Sequence, residues 1–133
     1  MRLAISKDRT ISDVQRDFNG QYPFLKLEFY KIQKSDPSQL IKKYLPGSML
    51  FKAAGIGKDG ILEIKDEMKV SELEKIFFQR FGLRSRVSRK SGMIWLETTM
   101  TDNWSLAKQN EYGREITVES KIILPDESVG ENK

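Results

Sequence analysis

The side chains best suited to chemistry lie close together in the stretch holding Trp95, Glu97, Asp102 and Trp104, where two indoles and two carboxylates flank threonine hydroxyls. Glu97 and Asp102 could serve as acid and base if a cleft perturbed them, with Trp104 as an apolar wall. The same residue types have a plainer use. Thr and Asp ahead of a helix cap its free N–H groups, and a Trp there plugs a core.

A second group is cationic. Arg84, Arg86, Arg89 and Lys90 follow one another with no acid among them. In a strand, Arg84 and Arg86 share the face opposite Val87, where guanidinium forks could pair with the phosphates of a nucleic acid. Only Trp95 offers a stacking platform on this ribbon, and the RNP1 pattern of RNA-recognition domains is missing. The competing reading is a solvated sheet edge guarded by charge. Gly55-Ile56-Gly57-Lys58-Asp59-Gly60 fits the G-x-G-x-x-G pattern but precedes a strand instead of following one, which makes it a turn and not a pyrophosphate cradle.

Composition narrows the chemistry further. The 133 residues include no His and no Cys, so zinc sites, thiolate nucleophiles, disulfides and imidazole bases are all excluded. What remains is carboxylates, Lys, Tyr and hydroxyls, which without a recognisable motif favour binding over catalysis; no cofactor or metal is expected. A net charge of +4 permits anionic partners without requiring them. No apolar run approaches the roughly 20 residues a membrane helix needs, and residues 1–10 lack the apolar core of an export signal, so a cytoplasmic location is expected. The sequon Asn103-Trp104-Ser105 then carries no weight.

The elements that must position these groups follow from periodicity. Leu3 and Ile5 alternate with polar neighbours in a strand over 2–6, and Ile11, Val14, Phe18 and Tyr22 form a helical stripe behind Thr10 or Ser12 as cap. Pro23 ends that helix, and 24–31 resumes as a strand. The order recurs: Leu62 and Ile64 alternate, then Val70, Leu73, Phe77 and Phe81 form a stripe behind the capping box Ser71-x-x-Glu74. Gly82 closes the helix and 83–90 reads as a strand. Shifting the chain by 59 positions superposes 2–18 on 61–77 without a gap, matching Leu3, Ile5, Ser12 and Phe18 with identical residues. Either a duplication or two amphipathic strand-helix pairs in the same register would give that match.

Between the units, Asp36-Pro37 predicts an N-cap leading into a short helix through Tyr44. After the second unit, Lys90-Ser91-Gly92 predicts a turn into a ribbon strand over 93–99, then a short helix over 105–112 ended by Gly113, and a last strand over 116–124. The expected architecture is one α+β domain over 1–124 with a frayed polar tail at 125–133. Its two β-α-β units would form a ferredoxin-like antiparallel sheet with both helices on one face, and the ribbon and a short C-terminal helix would be additions; a β-grasp-like sheet is the alternative.

Phe78 widens the apolar face of the second helix, where the first carries Asn19. Another helix or a subunit interface must cover it, which raises a homodimer as one option. The functional expectation is a small cytoplasmic binding or protein-interaction module without enzymatic activity. The alternatives are nucleic-acid binding through 84–90 and a small-molecule site or enzyme near 95–104.

Overall fold

The computed structural model describes residues 1–36 and 38–129. In chain order these are β1 (Arg2–Ile5), α1 (Ile11–Gln21), β2 (Leu25–Asp36), β3 (Gln39–Tyr44), α2 (Phe51–Ala54), β4 (Gly60–Glu63), α3 (Val70–Phe81), β5 (Arg84–Ser91), β6 (Ile94–Glu97), a single 3-10 turn (Thr99–Thr101) and α4 (Leu106–Val129). The fold is α+β with antiparallel sheets.

The two predicted helices form where the apolar stripes place them. Thr10 caps α1 through a reciprocal pair: its hydroxyl accepts the Asp13 N–H (3.1 Å) while the Asp13 carboxylate accepts the Thr10 N–H (3.0 Å). The cap of α3 differs from the expected Ser71–Glu74 box. It lies two residues earlier, with the Glu72 carboxylate taking the Lys69 N–H (3.1 Å), which releases Glu74 for another use. Val14 and Phe18 of α1 and Leu73 and Phe77 of α3 are fully buried against Leu25, Leu27, Phe29 and Val87 of the strands. Phe29 stands edge-on to both Phe51 (5.5 Å) and Phe77 (5.1 Å), the arrangement aromatic quadrupoles favour.

The single ferredoxin-like sheet does not form. β1 pairs only with β4, and β2 and β5 are the centre of a separate sheet ordered β3-β2-β5-β6. The cause lies in the connectors. Residues 39–44 are not a helix but the strand β3, which folds back on β2, and β6 folds back on β5. These hairpin partners take the edges that β1 and β4 would need to join the sheet. Leu40, Ile41 and Tyr44 suit a strand; Pro37, expected at the first position of the helix, lies outside the described residues.

The C-terminal expectations are corrected as well. α4 continues through Gly113 to Val129, so the predicted strand over 116–124 is helix, as is the start of the predicted tail; residues 130–133 lie outside the described residues. The helix carries a glycine at 113 where its backbone passes close to β5: a methyl there would stand 2.9 Å from Arg89 Cγ and 3.0 Å from Phe24 Cβ.

The similarity between halves extends well past the strand-helix pairs. Ile11 and Ser12 donate backbone bonds to Met49 and Gly47, and their counterparts Val70 and Ser71 donate to Trp104 and Asp102. Phe51 and Lys52 donate to Arg9 and Lys7; Leu106 and Ala107 donate to Met68 and Asp66. Leu45 donates to Phe29, and Thr98 to Val87. Each half is therefore β-α-β-β-α. The strand pairing is centred on Leu3 opposite Leu62 in one sheet and on Glu28 opposite Arg86 in the other, which relates the halves by an approximate two-fold axis. One residue fewer between α3 and β5 than between α1 and β2 keeps the core-facing parity, so Leu27 corresponds to Ser85 and Phe29 to Val87.

Candidate binding surfaces

Directly opposed residues of an antiparallel pair share a face. Leu25, Leu27, Phe29, Val87 and Arg89 belong to the inner face, while Lys26, Glu28, Tyr30, Arg84, Arg86 and Ser88 belong to the outer one. Tyr44 extends the outer face through its pairing with Tyr30, and Glu97 through its pairing with Ser88. β3 and β6 are opposite edges of this sheet, yet the Tyr44 hydroxyl donates to Glu97 Oε2 at 2.5 Å and Lys42 Nζ stands 3.4 Å from Glu97 Oε1. The sheet must curl toward its outer side for these edges to meet.

Under that clasp, Tyr30 packs against Tyr44 (5.7 Å), with Lys42 Nζ 5.3 Å and the Arg86 guanidinium 5.9 Å from its ring centre. The Tyr44 bond holds Glu97 below the usual carboxylate range, and partial burial, then the neighbouring carboxylate, push the Tyr44 phenol up. Arg86 pairs with Glu74 of α3 (3.4 Å), whose other oxygen accepts the Val87 N–H (3.3 Å). Burial outweighs Arg86 and raises the Glu74 carboxyl above its ordinary value.

The four cations of the basic ribbon separate. Arg84 and Lys90 sit on the outer face and Arg86 is held by Glu74. Arg89 is on the inner face beneath α4, donating to Gln109 Oε1 (2.7 Å) with its guanidinium 4.8 Å from the Tyr112 ring and 5.9 Å from Trp104. Lys26 Nζ lies 5.9 Å from the Trp95 ring.

The four cleft candidates also divide. Trp95 and Glu97 alternate onto the outer face of β6, whereas Trp104 stands edge-on to Tyr112 (5.5 Å) in the Arg89 cluster on the other side of β5. Asp102 contributes its carbonyl to the Ser71 N–H (2.8 Å) at the start of α3. Phe78 is 51% exposed, with the Arg84 guanidinium 5.1 Å from its ring centre and, among the described residues, no helix over it. Sequence reasoning missed Tyr30, Lys42, Tyr44 and Glu74. Reading 39–44 as a strand would have placed Tyr44 opposite Tyr30; no spacing rule announces the Tyr44–Glu97 contact.

Two further features lie outside these clusters. The hairpin arms carry large exposed apolar side chains at equivalent positions: Leu40 and Ile41 on β3, Met93 beside β6 and Ile94 on it. A cleft of about 290 Å³ opens at the base of the first arm, lined by Tyr30, Lys31, Ile32, Leu45, Ala54, Gly82, Leu83 and Arg84. Among the described residues, no cluster of three or more carboxylates is placed to hold a metal ion, and no helix is long and apolar enough to cross a membrane. No protein family, curated protein or solved structure matches the chain.

Proposed function

We propose that this chain is a non-enzymatic protein-interaction module of the cytoplasm that engages its partner through the two hairpin arms. The observation that carries this reading is the pair of edge strands. Every residue of β3 and of β6 is exposed, and both arms present bulky aliphatic side chains that no other element covers among the described residues. Free edges with apolar side chains invite strand or surface pairing with another chain. Glu97 accepts the Tyr44 hydroxyl and pairs with Lys42, and Glu74 is held by Arg86 and the Val87 N–H, so these shifted carboxylates are already engaged. Photo-crosslinking from residues 41 and 94 in the full chain tests the proposal. The same protein should be captured from both positions, and adducts with nucleic acid alone would overturn it.

One observation favours nucleic acid as a second reading. Tyr30, Tyr44 and Trp95 share the outer face with Lys26, Lys42, Arg84 and Lys90, the mixture of rings and cations on which single strands stack. Binding of a labelled oligonucleotide that weakens steeply with salt would support it; binding indifferent to salt, or none at low salt, removes it.

A further inference from the structure

In the second half of the chain, α4 runs past its first turn onto the inner face of β5. Gln109 meets Arg89, Gly113 lies against Arg89 and Phe24, and the Thr117 hydroxyl accepts the Gly92 N–H (3.3 Å) and donates to Lys90 O (3.5 Å). In the first half, the equivalent helix α2 stops after Ala54, where Gly55 turns the chain at φ 99°. What α4 covers in one half is open in the other. Lys31, Ile32 and Gly82 occupy the positions of Arg89, Lys90 and Phe24, and all three line the 290 Å³ cleft together with Ala54 at the end of the short helix.

The cleft has the polarity of a half-finished contact. β2 pairs with β5 only as far as Tyr30 opposite Arg84, so the backbone groups of Ile32 that point away from β3 meet no strand. Among the described residues, Lys31, Lys43 and Arg84 form no ion pair, and Lys31 and Lys43 stand directly opposite each other. Like charges in that position repel until an anion separates them.

We infer that this cleft is the seat for an acidic amphipathic helix contributed by a partner protein, docking as α4 docks on the other half; the inference rests on the interaction reading above. A helix supplies the shape, because a helix fills the equivalent place. Acidic side chains supply the charge that Lys31, Lys43 and Arg84 lack. A second copy of this chain fits less well. Its α4 is already seated on its own β5.

The test uses the full chain and a fluorescein-labelled peptide of residues 106–119, whose Glu111 and Glu115 lie one turn apart. Saturable binding is expected, with amide shifts at 31–33 and 83–84. Lys31→Glu combined with Arg84→Glu should weaken it at least about tenfold without changing the melting temperature, and a peptide with both glutamates changed to lysine should restore binding to that variant. Absence of saturable binding, indifference to charge reversal, or shifts centred on Phe24 and Arg89, where the peptide would be exchanging with α4, each overturn the inference. So does a concentration-dependent dimer that the charge reversal dissolves. Failure here, with a protein still crosslinked from residue 94, removes the seat and leaves the interaction reading standing; loss of that crosslink removes the reading itself.

Discussion

Tyr44 and Glu97 belong to strands on opposite edges of one sheet and to equivalent positions in the two halves, yet they share a 2.5 Å hydrogen bond. The bond closes the sheet on itself. Tyr44→Phe should cost about 1 kcal/mol, below the usual range for a bond to a charged acceptor because both side chains remain part exposed. Glu97 titrates below its ordinary value in the folded state, so its contribution is present above the unfolded carboxylate range and is lost as pH falls through the folded value. The stability difference between wild type and Tyr44→Phe, measured by urea unfolding, should therefore shrink in acid.

Glu74 behaves with the opposite sign. Burial raises its folded value, so its favourable contribution is complete below the unfolded range and is lost as pH rises through the raised value. Arg86 limits that loss. Arg86→Met should cost about 2–3 kcal/mol at neutral pH, below the range for a fully buried pair, and clearly less in acid, as Glu74 takes up its proton. Carbon-detected titration of Glu74 in the variant should show its value rising further.

Two glycine-to-alanine changes in helices should separate propensity from packing. Gly20 in α1 has nothing near its missing methyl, so Gly20→Ala should stabilise by about 0.5–1 kcal/mol. Gly113 in α4 faces Arg89, Phe24 and the Lys90 carbonyl within 3.2 Å. Gly113→Ala should destabilise by about 1–3 kcal/mol despite the better helix former, read by thermal melting.

Phe78→Asp should leave the fold intact. The ring is half exposed and contacts Arg84, to which a carboxylate offers a replacement partner. A change within about 0.5 kcal/mol is expected, and wild type and variant should both sediment as monomers at high micromolar concentration. A wild-type dimer dissolved by this substitution would place self-association on α3.

The sequence displayed the parts of this fold that depend on local pattern. The stripes of α1 and α3, the Thr10 cap, the Gly82 stop and the alternation of Arg84 and Arg86 against Val87 all follow from spacing within one element. The match at 59 positions was legible too, although its reach into the hydrogen bonds that Met49 and Trp104 accept from Ile11 and Val70 was not. Errors gathered where distant neighbours decide. Residues 39–44 are a strand because β2 is beside them, and α4 carries a glycine at 113 because β5 approaches too closely for a side chain. The candidate site suffered in the same way. Arg89 and Trp104 look like exposed functional groups until α4 is known to extend over them, and Tyr44 acquires its role only when the sheet curls.

The exposed aliphatic side chains of the hairpin arms serve a partner, while Tyr44 and Glu97 on the same strands hold the sheet. Replacing Leu40, Ile41, Met93 and Ile94 with serine removes the large exposed apolar side chains at the equivalent positions of both arms. The decisive measurement is quantitative recovery of the protein crosslinked by wild type when this variant, verified to melt within about 2 °C of wild type, is purified from the same cells. The account predicts at least a tenfold loss of that partner. Undiminished recovery, or a variant that melts far lower because the arms support the core, would contradict it.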